Sequence, residues 1–150
     1  MVANSGIEVI TASFLGVFIA QFIKFLVYYF INKKFNFKMF TLTGGMPSSH
    51  SSFSVALTIS VGLVTSFTSV EFAIALGFAA VVMYDAAGLR RAAGKTAALL
   101  NQIVDDYYSE RNPRLNQEKL LEVLGHTPVE VIMGAFLGAA LAYFTHIVLF

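Results

Sequence analysis

A chain of 150 residues that is 57% hydrophobic and only 13% charged is too apolar for an ordinary soluble domain of its length and reads as an integral membrane protein. It has no cysteine, which excludes disulfides, thiolate metal sites and a cysteine nucleophile. A net charge of +1 without any long basic run gives no support to nucleic-acid binding.

The first apolar stretch, residues 7–31, has the length of about 17–25 residues that a helix needs to cross a bilayer. No positively charged leader precedes it and no small-residue cleavage signal is evident, so it is expected to be a retained anchor. Lys24 lies inside this span, sharing an i, i+4 face with Ala12, Gly16 and Ala20. Ionisable side chains are costly in the bilayer and usually face the bundle, although Lys24 could also snorkel to the interface. After a loop carrying Lys33, Lys34 and Lys38 comes Gly44-Gly45-Met46-Pro47-Ser48-Ser49-His50, just ahead of a second span at 51–67. A helix start offers unpaired N–H groups and the positive end of a dipole, so Ser48 to Ser51 would make an anion site with His50 beside it.

A third span, 70–88, carries Asp85 on a face with Ala73, Gly77 and Val81. Residues 90–108 are mixed: Leu99, Leu100, Ile103 and Val104 recur at helical spacing among Lys95, Asn101, Gln102, Asp105 and Asp106. That pattern predicts an amphipathic helix on the membrane surface or across the bundle mouth. Asn112-Pro113 breaks it, and residues 117–124 are predicted to form a short further helix. Then follow Gly125-His126-Thr127-Pro128-Val129-Glu130 and a fourth span, 128–150. Glu130 shares a face with Gly134, Gly138, Ala142 and His146, and Gly134 to Gly138 is a GxxxG segment suited to close helix approach. Thr127 to Glu130 also fits a capping box with proline at the first helical position. On that reading His126 lies outside the helix, and helix geometry does not guarantee its contact with Glu130. His146, deep in the last span with no catalytic companion nearby in sequence, reads as a packing or lumen-facing residue on the far side.

The expected fold is therefore an all-α integral membrane protein: four transmembrane helices plus an amphipathic interfacial helix between the third and fourth. No repeat, low-complexity tract or domain boundary divides residues 1–150, which are expected to form one helical bundle. Nine of the ten basic residues fall in the first and third loops, the tenth being Lys24; the tails and the Thr68-Ser69 turn have none. Basic loops stay cytosolic, so the two loops that carry the histidines are expected on that side. His50 and His126 should then approach one another across a polar cavity at one membrane end, with Lys24 and the Arg90-Arg91 pair around them. Arg90 and Arg91 could alternatively be topology determinants, and Asp85 could simply pair with one of them.

Four segments together resemble a known family: GGMPSSHS at 44–51, MYDAAGLRRAAGK at 83–95, LNQIVDD at 100–106 and LGHTPVEVIMGAFLG at 124–138. The chain is similar, over nearly its whole length, to the divergent branch of the type-2 phosphatidic acid phosphatase superfamily, whose wider clan includes soluble acid phosphatases and vanadium haloperoxidases. That superfamily's Pro-Ser-Gly-His motif, with its phosphate-binding groups and general-acid histidine, is similar to Pro47-Ser48-Ser49-His50. Its last motif pairs a histidine nucleophile with an aspartate four residues later, and His126 with Glu130 resembles that pair. Two arginine motifs are absent: Leu120 stands six residues before His126 where an arginine is expected, and Ile31 stands seven after Lys24.

The resemblance implies a membrane phosphatase that hydrolyses a phosphomonoester or diphosphate on a lipid through a phosphohistidine intermediate. His126 would be the nucleophile, Glu130 would stabilise its imidazolium, and His50 would protonate the leaving oxygen and then help activate water. Lys24, Ser48, Ser49, Arg90 and Arg91, with Lys95 in reserve, would hold the phosphate. This scheme requires no metal or cofactor. A carboxylate beside phosphate is repulsive unless it holds an arginine or a cation, so Asp85, a supporting residue, leaves a place for Mg²⁺. The implied partners are a phosphorylated lipid and the surrounding membrane lipids, and so slim a bundle could form a homodimer. The alternative, drawn from the missing arginines, is a non-enzymatic membrane protein that binds phosphorylated head groups or assembles with partners.

Overall fold

In the computed structural model, residues 5–33, 44–109, 120 and 125–150 are described. The helix expected at 117–124 and the break at Asn112-Pro113 lie, Leu120 apart, outside the described residues.

Helix α1, Ser5–Asn32, places one residue in four inward: Glu8, Ala12, Gly16, Ala20 and Lys24 are all buried. Its large apolar side chains point the other way, Phe18 being 67% exposed against 0% for Ala20. Small residues inside and large ones outside is the arrangement of helices that face lipid and pack backbone to backbone. The helix closes with the Asn32 amide donating to the Tyr28 carbonyl at 3.1 Å and with Lys33 in the left-handed region at φ 53°.

Helix α2, Ser49–Val64, is the axis of the bundle and packs against α1, against α3, Val70–Ala87, and against α5, Pro128–Val148. Its buried residues are almost all small or hydroxylic: Ser49, Ser51, Ser52, Ser54, Ala56, Thr58, Ser60 and Gly62. Three backbones meet at Ser52. Its hydroxyl donates to the Gly16 carbonyl at 3.0 Å, and a methyl group added at Gly16 or Gly138 would collide with the Ser52 carbonyl. A methyl at Gly134 would likewise strike the carbonyl of Ser48, so the GxxxG stripe of α5 is in contact with α2. The turn from α2 to α3 is held by Thr65 and Ser69, whose hydroxyls stand 2.9 Å apart, while Ser69 caps α3 by accepting from the Phe72 N–H.

Helix α4, Leu89–Ser109, begins one residue after α3 ends, with Gly88 between them at φ −102° and ψ −81°. It buries Gly94, Ala97 and Asn101 and exposes Leu99, Leu100 and Ile103. Three stretches are long and apolar enough to cross a membrane: Gly6–Asn32, the helical run that starts at Val70, and Pro128–Val148. The chain is thus an all-α, multi-span membrane bundle. At 16 residues α2 is apolar but shorter, about 24 Å at 1.5 Å per residue.

Candidate active site

At one end of the bundle the C-terminal part of α1, the start of α2, the junction of α3 with α4 and the start of α5 come together. Gly125, at φ 85°, turns the chain into this end and lies so close to the main chain of Arg90 and Arg91 that no side chain fits there. The His126 N–H then donates to the Ala86 carbonyl at 2.9 Å, tying the loop to the end of α3. The His126 side chain is buried, 1% exposed, with Nδ1 3.0 Å from Oε2 of Glu130. That carboxylate oxygen also accepts the Thr127 N–H at 3.2 Å, while the Thr127 hydroxyl accepts the Glu130 N–H at 3.3 Å. The capping box and the imidazole contact therefore coexist on one oxygen. A carboxylate accepts only, so Nδ1 carries the proton and the lone pair of neutral imidazole sits on Nε2. Nε2 is buried and, among the described residues, has no partner that meets hydrogen-bond geometry, although the Gly45 main chain lies near enough to act on the ring. Burial pushes the His126 imidazole below the ordinary histidine pKa; the hydrogen bond to Glu130 raises it, and the charge of Lys24 lowers it further.

His50 is the second residue of α2, and its ring centroid lies 5.8 Å from that of His126, the planes at 65°. The sequence-based expectation that the two histidines approach one another holds in the structure. His50 Nδ1 is buried and has no hydrogen-bond partner among the described residues. Ser48 is committed to building this corner. Its hydroxyl accepts from the Ser51 N–H at 3.3 Å and the Ser51 hydroxyl at 3.1 Å, and its own N–H donates to the Glu130 carbonyl at 3.0 Å. The N–H groups of Ser49 and His50, in the first turn of α2, have no intrahelical acceptor by helix geometry and point out of the helix start. Lys24 is 4% exposed, so it does not snorkel outward; Nζ makes a long hydrogen bond, 3.5 Å, to the Ser49 hydroxyl.

Arg90 and Asp85 form a pair at the rim, Nε to Oδ2 2.7 Å, with side chains 45% and 37% exposed. Asp85 therefore has an arginine as its partner, one of the two options open from the sequence. Both residues lie within electrostatic reach of His50, as does Lys24. Arg91 is exposed and contributes its main chain to the packing of Gly125. Lys95 is exposed on α4, and among the described residues no interaction joins it to either histidine.

The profile of the family described as "Divergent PAP2 family" matches residues 6–141. The chain belongs to the Divergent PAP2 family. It is 36% identical over 146 residues to "Uncharacterized membrane protein YuiD" of Bacillus subtilis (strain 168), an alignment that covers 89% of this chain and 92% of the relative. No solved structure matches the chain.

Membership sharpens the significance of the two absent arginines. Ile31 is 74% exposed at the end of α1, so that position faces away from the histidines' buried corner. Leu120 is half-exposed and is held through its main chain by Asn101, whose amide donates to the Leu120 carbonyl at 2.8 Å and accepts the Leu120 N–H at 2.9 Å. Sequence reasoning missed that contact because nothing in the spacing of 19 residues announces it. It also missed Glu8, which is buried near the opposite end of the bundle with Oε1 2.7 Å from Nδ1 of His146. One signal was present: Glu8 extends the i, i+4 stripe of Ala12, Gly16, Ala20 and Lys24 by one step, as His146 ends that of Glu130.

Proposed function

We propose that this protein is a membrane phosphatase that removes phosphate from a phosphomonoester or diphosphate lipid through a phosphohistidine at His126. The observation that carries this reading is a buried imidazole whose Nδ1 is held by a carboxylate and whose Nε2 has no partner of hydrogen-bond geometry among the described residues, with a second imidazole 5.8 Å away centroid to centroid. Nε2 of His126 attacks phosphorus as the bond to the lipid oxygen breaks, His50 protonates that oxygen, and Glu130 stabilises the imidazolium. Water then attacks the phosphohistidine, giving its proton to His50, and inorganic phosphate leaves. Lys24, the free N–H groups at Ser49 and His50, and Arg90 at the rim neutralise the phosphoryl oxygens, with Arg91 and Lys95 the further cations of α4.

In this reading α2 is a fourth span enclosed by the other three, and α4 lies at the interface, its exposed Leu99, Leu100 and Ile103 in lipid. That all nine loop cations fall, in the sequence, in the two loops that carry the histidines supports a site that opens to the cytosolic leaflet and a substrate made on that face. One observation favours a second reading, a lipid head-group binder without turnover: Arg90 is engaged by Asp85, which among the described residues leaves Lys24 as the buried cation beside the histidines. Phosphate release by the purified protein from phosphatidate, phosphatidylglycerophosphate and polyprenyl diphosphate, with and without EDTA, separates the two. The phosphatase reading expects release that His126→Ala abolishes. The binder reading expects no release and equal retention of lipid by both proteins.

A further inference from the structure

Asn101 is a buried polar side chain that the reaction above leaves unused. It sits on the inner face of α4 with Gly94 and Ala97 and meets Leu120 with both ends of its amide, at 2.8 and 2.9 Å. One side chain thereby satisfies both main-chain groups of a single residue, as a neighbouring strand would. Such a two-point contact fixes orientation as well as position. The Leu120 side chain is 51% exposed, so its own burial does not hold it. Six residues later comes His126. The chain is gripped again just before that point, where Gly125 packs on the main chain of Arg90 and Arg91, about three turns back along α4. The His126 N–H closes the arrangement on the Ala86 carbonyl. One helix thus meets the chain ahead of His126 at two described points, by a side chain at Leu120 and by backbone packing at Gly125.

We propose that Asn101 is a positioning residue: by clamping the main chain of Leu120 it sets where His126 stands relative to His50 and Lys24. The catalytic consequence rests on the phosphatase reading; the geometric consequence does not. Two full-length variants test it, Asn101→Leu, which removes both hydrogen bonds, and Asn101→Asp, which keeps the shape and the acceptor but turns an oxygen toward the Leu120 carbonyl. Both should lower kcat about 10- to 100-fold, since a misplacement near 1 Å costs on the order of 10²-fold. KM should stay within about twofold, because Lys24 and Ser49 belong to α1 and α2. Leu120→Ala leaves the main-chain pair intact and should keep the parent rate. In ¹⁵N-histidine spectra, the His126 resonances, assigned by their loss in His126→Ala, should move in both Asn101 variants and stay in Leu120→Ala. Unchanged kcat and unchanged His126 resonances in a folded Asn101→Leu protein would overturn the proposal, as would unfolding of both Asn101 variants, which would make the residue a stability element. If the parent protein releases no phosphate, the phosphatase reading fails, and the movement of the His126 resonances still decides the positioning role.

Discussion

Replacing Gly125 with alanine tests how tightly the loop ahead of His126 is built. An alanine Cβ would stand 2.7 Å from the Arg90 carbonyl carbon and 2.8 Å from the Arg91 Cα, with the Arg91 nitrogen nearer still, whereas ordinary contact begins at 3.4 Å. The atoms in the way are main chain, so no side chain can swing aside. The loop has to move by at least about 0.7 Å, from 2.7 to 3.4 Å, and the first residue to feel it is His126, hydrogen-bonded to Ala86. A displacement approaching 1 Å at a reacting group costs on the order of 10²-fold, so a rate loss of about 10- to 100-fold is expected. The φ of 85° adds strain of about 1–3 kcal/mol for a residue with a side chain. Initial rates of phosphate release in proteoliposomes, read beside thermal unfolding, measure both effects. Gly77→Ala serves as the control, since none of the described residues lies within 4 Å of the added methyl, and it should match the parent protein. A Gly125→Ala protein with parent rate and parent stability would refute this reasoning.

His146→Ala leaves the buried Glu8 carboxylate without its imidazole partner and should cost about 1.5–3 kcal/mol in unfolding, the worth of a hydrogen bond to a charged group, with the rate of the folded protein unchanged. Unaltered stability would contradict that. The proposed mechanism has His126 attack in its neutral form, and burial holds its pKa down, so the rate is expected to fall with acid only below the ordinary histidine range. Glu130→Gln, which keeps an acceptor for Nδ1 but removes the negative charge that raises that pKa, should slow turnover by on the order of 10²-fold and move the acid limb to still lower pH; a limb that moves upward would be inconsistent with the assignment. Since the chain has no cysteine, single cysteines at Thr68 and within 109–118 report topology with an impermeant thiol reagent on intact cells. Labelling is expected at Thr68 with protection of the loop, and the reverse would place the site on the outer leaflet.

Much of this arrangement was legible in the sequence because bilayer packing inverts the usual pattern and leaves stripes of small residues. Residues 12, 16 and 20 and residues 134, 138 and 142 marked faces that the structure buries, whereas the stripe of Ala73, Gly77 and Val81 read with Asp85 did not: those three are exposed, and α3 turns Ala75, Ala79 and Ala86 inward instead. The capping signature at Thr127 located the start of α5 to the residue, and the two glycine-containing breaks located both histidines. Local pattern gave the ends of α2 less well: the helix runs 49–64 where hydropathy suggested 51–67, because the Ser48 hydroxyl caps it early and Thr65 closes it. Whether Lys24 turned inward, and whether Glu130 could cap and touch imidazole together, depended on how α1, α2 and α5 pack, which periodicity alone does not encode. Asn101 with Leu120 and Glu8 with His146 are contacts 19 and 138 residues apart and became visible only with the fold.

The most direct test of the account is to trap the intermediate. Lipid carrying a ³²P-labelled phosphate is mixed with the purified protein and quenched within milliseconds, and the protein is then analysed for bound label. The account predicts a phosphoryl group that is stable to alkali and labile to acid, located at His126 and absent from His126→Ala. Steady phosphate release by a folded His126→Ala protein would contradict it.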